Sequence, residues 1–383
     1  MNIQINTNAI IQNGSAFKIF EHFPQYKNEE ICVIIDQGFA NTETGLQVLK
    51  YIDTINQRSK ILKYDHVGEP TYNYLRILSG KVKKLNPKVI FGIGGGSTLD
   101  SAKACAVLVT NKKDPIAYRG FNKILNKGIP CLCIPTTAGT GSEASYNASF
   151  VDTDSSTKMG INGLHMFATH SILDGNMVIN CPNRPMVSAT IDALTHNLEA
   201  FTCLNANAVI DQLCLLAIKL IFDNYNGIAS NSLKPEAALN LLTASHIGGI
   251  VQMNTGSGIA AAISYPLSVY YQVPHGIGGG IFLAGVVKYN IDKGYYKYSK
   301  INKILKNNEN DPDDCNSAKK FLSSLIKLKK DLKIPIKLHS FGITKYDYDK
   351  ICAVMATQQA GFDQNPISFT VKSSFPQFIK KYL

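Results

Sequence analysis

Tryptophan is absent from the 383 residues, and no run of eighteen or more apolar residues occurs. The second absence excludes a membrane-spanning helix, which needs about 20 such residues. The start, MNIQINTNAIIQNGS, has no basic stretch leading into an apolar one. No secretory signal is therefore expected, and the cytoplasm is the expected location. No C-x-x-C pair occurs among the nine cysteines, which are scattered from Cys32 to Cys352. Neither a thiolate zinc site nor a disulfide framework is suggested; the cysteines read as buried small hydrophobes in a reducing compartment. Internal repeats and low-complexity tracts are missing too.

Against these absences stands an ordinary globular composition, 45% hydrophobic and 17% charged. The length suffices for two or three domains. Lysine and arginine number 39 against 28 acidic residues, a net charge of +11. The excess is mostly lysine on helical stretches such as Lys319–Lys330, with no arginine-rich run and no aromatic–basic interleaving. A solvated surface is expected, not a nucleic-acid site.

Short β-branched runs at 31–35, 59–64, 88–93 and 130–134 read as buried strands between helical patterns, with further apolar runs near 148–152 and 170–174. Strand–helix alternation predicts a parallel α/β architecture. After about Asn180 the pattern turns helical, over 185–203, 206–225, 235–252, 258–270 and 314–331. The turn-like CPNRP at 181–185 marks the seam, giving an α/β domain over 1–180 and an all-helical domain over 181–383. The segment 306–314 reads as an exposed loop.

Chemistry concentrates in three places. The strand ending at Ile93 runs into Gly94, Gly95 and Gly96, then Ser97 and a helix. Glycine permits close backbone approach and positive φ. A helix N-terminus offers free N–H groups and a positive dipole end, which together suit a pyrophosphate. The loop is not the G-x-G-x-x-G fingerprint and follows a middle strand. A second loop, Pro135 to Glu143, carries small hydroxyl residues at the C-terminal end of another strand, the usual ligand edge of such a sheet. Thirdly, Asp192 and His196 stand at i and i+4 on one helix face. His275 follows in a Pro-His-Gly turn.

Taken together, GGGST-x-D-x-AK at 94–103, IPTTAGTGSEAS at 134–145, DALTHNLEAF at 192–201 and PHG at 274–276 resemble the iron-containing (group III) alcohol dehydrogenases. GEPT at 68–71 and the strand-end Asp36 fit as well, and the resemblance runs in order over nearly the whole chain. It implies a dehydroquinate synthase-like fold: an N-terminal dinucleotide-binding domain and a helical metal-binding and substrate domain. It also implies a nicotinamide-dependent interconversion of an alcohol and an aldehyde or ketone. Gly95, Gly96 and Ser97 would contact the pyrophosphate, and Glu69, Asp100, Thr136, Thr137, Thr140, Asn147 and Lys158 would bind the cofactor around it. Asp36 would meet the adenosine ribose and favour NAD over NADP. Asp192, His196 and His275 would hold one divalent metal, zinc or iron, with either Tyr265 or a water as the catalytic proton carrier.

One family ligand is missing, since the histidine usual fourteen residues before the Pro-His-Gly histidine is Ala261 here. A second usual histidine is replaced by Tyr265, and His246 is not expected to substitute. Three ligands and an open position satisfy a catalytic zinc, so zinc is expected over iron, loosely held. SYPLS at 264–268 and KMGIN at 158–162 resemble the branch of octulosonate-sugar and phosphonoacetaldehyde dehydrogenases, which implies a small polar or anionic substrate. Two alternatives stand beside this reading: a dehydroquinate-synthase-like enzyme using NAD transiently, and a metal-free nucleotide-binding regulatory protein. Expected partners are the small-molecule substrate, with room for a homodimer.

Overall fold

The computed structural model describes residues 3–307 and 312–383. Six strands form one sheet: β1 (Asn8–Ile11), β2 (Ile31–Asp36), β3 (Lys60–Tyr64), β4 (Val89–Gly94), β5 (Cys131–Pro135) and β6 (His170–Leu173). Their order is β1-β6-β5-β4-β2-β3, and every pairing is parallel. The four strands expected from apolar runs all form. The run near 170–174 becomes β6, whereas 148–152 contributes only two-residue strands outside this sheet. The edge strand β1 carried no signal, because it has four residues and none is buried: the two ends are exposed and the two central positions half-buried.

Strands β4 and β5 are buried throughout, and β2 all but its last residue. A parallel sheet covered on both faces needs such unbroken apolar runs. Alternate residues enter two separate cores: Cys32, Ile34 and Ile90 pack with Leu75 and Val107, while Val33, Ile35 and Phe91 pack with Phe20 and Val48. Three helices in this half are α1 (Glu43–Ile55), α2 (Tyr72–Leu85) and α3 (Gly96–Thr110). Thr42 caps α1 by accepting the Gly45 N–H, and Thr71 caps α2 by accepting that of Tyr74. Helix α3 follows Gly95 and has no side-chain cap. Its first N–H groups, which no helix satisfies internally, stay available to a ligand.

The helical half comprises α4 (Asn183–Thr202), α5 (Ala208–Ala229), α6 (Pro235–Thr255), α7 (Ile259–Tyr271), α8 (His275–Asp292), α9 (Ser299–Leu305) and α10 (Asp314–Asp331), then shorter pieces to Ile379. Leu194, Phe201, Ile218, Phe282 and Phe321 belong to its one core. Of the loop expected at 306–314, residues 308–311 lie outside the described residues, and Asp314 begins α10. No helix among the described residues is long and apolar enough to cross a membrane.

One expectation is corrected. His275 does not sit in a turn; it is the first residue of α8, with Pro274 just before the helix. Four glycines in the first six positions argue against a helix, at about 1 kcal/mol each relative to alanine. Packing overrides that preference. A Cβ on Gly276 would overlap the Ser188 carbonyl oxygen, and one on Gly280 would lie 2.6 Å from Ile191 Cγ1. The glycines let α8 lie directly against α4.

Candidate active site

Both polar loops leave the C-terminal ends of neighbouring central strands, β4 and β5. None of Gly94, Gly95 and Gly96 has positive φ, so their smallness matters and not their conformational freedom. A Cβ on Gly96 would lie 2.6 Å from Thr140 Cγ2, which shows how tightly the two loops meet. The Thr136 N–H donates to Gly94 O at 2.9 Å. Thr137 approaches Gly95, and Ser97 lies in the uncapped first turn of α3. The neighbouring strand β2 ends at Asp36, whose Oδ1 accepts the Phe39 N–H at 2.7 Å.

The second loop is fixed from beneath by a buried cation. Lys103 is 1% exposed and donates to the carbonyls of Ser142 (2.7 Å), Ser145 (3.1 Å) and Asn147 (2.6 Å). Asp100 lies 3.5 Å from that ammonium. Its two oxygens accept the Ser142 hydroxyl at 2.5 Å and the Ser149 N–H at 2.8 Å. Asp100 thus positions the loop, and Lys103, quoted in the motif without a role, does the same. On its other side the loop meets α6, where Gly141 N donates to Ser245 Oγ at 3.2 Å and His246 Nδ1 lies 3.2 Å from Glu143 Oε1. His246 is engaged there and not with Asp192, His196 or His275.

Asp192, His196 and His275 converge. One ligand atom from each lies within 4.8 Å of the others. Asp192 Oδ1 is 3.6 Å from His196 Nε2 and 3.8 Å from His275 Nε2, too far for hydrogen bonds. Two donors about 2.0–2.1 Å from a shared tetrahedral ion would sit roughly 3.4 Å apart. Spacing and donor set, two imidazoles and a carboxylate, therefore fit a divalent ion and suit both zinc and iron(II). Burial, joined by the Lys158 ammonium and opposed by Asp192, pushes the His275 imidazole down to about 3, so the ring is neutral and able to ligate.

Around this cluster stand Tyr265 and Lys158. The Tyr265 ring lies 4.7 Å from that of His275. Burial raises the phenol above its ordinary value, with Lys158 pulling it part way back, so Tyr265 keeps its proton. Lys158 Nζ is 5.1 Å from the Tyr265 ring centre and 2.8 Å from Glu69 Oε2. Burial works against the ammonium, but the Glu69 carboxylate outweighs it and holds Lys158 above the usual lysine range.

Two residues escaped the sequence reading. Glu199, one turn past His196, accepts the N–H groups of Gly258 (2.8 Å), Ala260 (2.6 Å) and Ala261 (3.3 Å), capping α7. Burial pushes its carboxyl up to about 7, with those donors pulling back. Ser264 Oγ lies 2.7 Å from His275 Nδ1. Only the E three places after His196 hinted at Glu199; nothing in the sequence pointed to Ser264.

Comparison with known proteins agrees with this geometry. The sulfoacetaldehyde reductase of Bilophila wadsworthia (strain 3_1_6) is 31% identical over 283 residues, 73% of each chain. Among solved structures, an alcohol dehydrogenase from Oenococcus oeni superposes with a TM-score of 0.91 at 20% identity, covering 100% of both chains. A sulfoacetaldehyde reductase from Bifidobacterium kashiwanohense, determined in complex with NAD+, gives 0.88 at 19% identity over 100% of this chain and 98% of its own. Residues 186–377 match the C-terminal part of the Fe-containing alcohol dehydrogenase family. The family is described by iron, which gives no support to the expected preference for zinc. It also sets the regulatory alternative aside in favour of an oxidoreductase. With residues 6–175 matching the remaining part, the chain belongs to the iron-containing alcohol dehydrogenase family.

Proposed function

We propose that this alcohol dehydrogenase or aldehyde reductase works with NAD and one divalent ion on a small polar, anionic substrate of sugar or phosphonate type. The observation that carries the reading is the convergence of Asp192, His196 and His275 on one point. A bound ion supplies Lewis-acid polarisation of the substrate oxygen, and NAD supplies the hydride carrier. The chain's own residues do the rest. Gly95, Gly96 and Ser97 receive the pyrophosphate at the open end of α3, and Thr136, Thr137, Thr140 and Asn147 form the facing wall. Tyr265 holds a proton on its hydroxyl beside the ligating ring of His275. Lys158 keeps its ammonium near that ring in an ion pair with Glu69, and an anionic substrate group would draw on the same ammonium. The name of the Bilophila relative, sulfoacetaldehyde reductase, points the same way, since sulfoacetaldehyde carries an anionic sulfonate beside its aldehyde.

The test is NADH oxidation with anionic and neutral small aldehydes, beside elemental analysis, before and after chelation. Anionic aldehydes should give the higher kcat/KM, and chelation should abolish turnover while sparing NADH binding. A metal-free preparation with undiminished activity would sink the metal reading, and preference for neutral aldehydes would sink the anionic one.

Cofactor choice rests on Asp36. Asparagine there keeps an N-cap oxygen for Phe39 but removes the charge that opposes a 2′-phosphate. Wild-type protein should bind NADH more tightly than NADPH, and Asp36→Asn should narrow the gap in fluorescence titrations without unfolding the strand end. An unchanged gap places the selectivity elsewhere.

A further inference from the structure

We infer that Ser264 is a positioning residue that fixes the tautomer of His275, so that Nε2 presents a bare lone pair to the ion. The inference rests on the reading that Asp192, His196 and His275 hold a metal.

A serine hydroxyl has one hydrogen to give and two lone pairs to receive with. Ser264 Oγ lies 2.7 Å from the Ala261 carbonyl oxygen and 2.7 Å from His275 Nδ1. The carbonyl can only accept. When Ser264 donates to it, the same oxygen is left to accept from the imidazole, and Nδ1 must carry the ring hydrogen. Both contacts are then hydrogen bonds.

The opposite tautomer satisfies less. With the hydrogen on Nε2, Ser264 turns its proton to Nδ1 and leaves its contact to Ala261 O unmade. The Nε2 hydrogen then faces Asp192 Oδ1 at 3.8 Å, outside hydrogen-bond range, and no hydrogen bond from Nε2 forms among the described residues. Two bonds against one favours hydrogen on Nδ1, which is the form a metal needs.

The surrounding packing is built for this contact. Ser264 is 1% exposed. A Cβ on Gly278 would come 3.0 Å from Ser264 Cβ, so α7 and α8 are closely apposed one turn from His275. His196 has no such help, for its Nδ1 is buried without a hydrogen-bond partner among the described residues. Ala261, one turn before Ser264, brings no fourth donor. With the site reduced to three ligands, its one outer-shell partner to an imidazole carries more of the ion's retention. Outer-shell partners of this kind are worth about 10- to 100-fold in metal affinity.

The experiment uses the full chain, metal-free, with 15N-labelled histidine. Long-range proton–nitrogen spectra distinguish the tautomers, and loss of one signal in His275→Asn assigns it among the eight histidines. Wild-type His275 should carry its hydrogen on Nδ1. Ser264→Ala should shift the ring toward the Nε2 form and weaken Zn(II) and anaerobic Fe(II) binding by about 10- to 100-fold, with NADH affinity unchanged. An Nε2 hydrogen in the wild type overturns the inference with no variant needed. So does a folded Ser264→Ala protein that binds both ions like its parent. Failure of the wild type to bind either ion is a different result: it overturns the metal reading, while the tautomer stays readable.

Discussion

Asp192→Asn should cost turnover roughly 10³-fold or more, about 4 kcal/mol of barrier, while leaving NADH binding intact. Asp192 is the one anionic donor of the cluster. Its Oδ1 faces Nε2 of both His196 and His275, at 3.6 Å and 3.8 Å, in a pocket where the residue is 6% exposed. His275 is neutral there, so an amide in place of the carboxylate leaves a divalent cation among uncharged donors in a poorly hydrated site. No fourth histidine stands by, because that position is Ala261. The loop proposed for the pyrophosphate consists of other residues, which is why cofactor affinity should persist. Steady-state kinetics and elemental analysis on the same preparation check both halves. Turnover within tenfold of the parent would mean that Asp192 is not a ligand.

The second large effect is on stability. Lys103→Met should destabilise the folded chain by about 3–5 kcal/mol, the range for removing one partner of a buried charge cluster. Methionine matches the unbranched four-atom apolar stem of lysine and ends where the nitrogen begins, so the loss is of the ammonium itself. Three carbonyls, of Ser142, Ser145 and Asn147, would lose their common donor, and Asp100 its nearest countercharge. All three ammonium hydrogens are committed in the native protein, which leaves little room for compensation. Because these bonds tie the second polar loop to α3, NADH affinity should fall along with the urea midpoint. A midpoint equal to that of the wild type would show that the Lys103 ammonium does not hold the loop, which Asp100 and α6 would then fix without it.

Much of this was legible beforehand, and the exceptions share a cause. Strands β2, β4 and β5 announce themselves because a doubly covered parallel strand is apolar at every position. Asp192 and His196 are readable as a pair because one helix sets their spacing. His275 reaches them across 79 positions of sequence, so only the resemblance joined it to them. Its helix was hidden by glycines whose value lies in the contacts with Ser188 and Ile191, invisible to any local preference. Glu199 capping α7, Lys103 gathering three carbonyls and Ser264 seated against an imidazole are likewise contacts between distant segments. Residue type alone would place a lysine on the surface, and here it is among the largest fully buried side chains.

The intimacy of α4 and α8 restricts how this enzyme can be hardened for practical use. Exchanging a helical glycine for alanine is a standard route to heat tolerance, worth about 0.4–1 kcal/mol where the added methyl has room. At Gly276 or Gly280 the methyl would wedge the two helices apart and carry His275 away from its companions. A redesign guided by helix preference alone would thus trade catalysis for nothing. The exchange belongs at Gly80 in α2, where an added Cβ meets nothing within 4 Å.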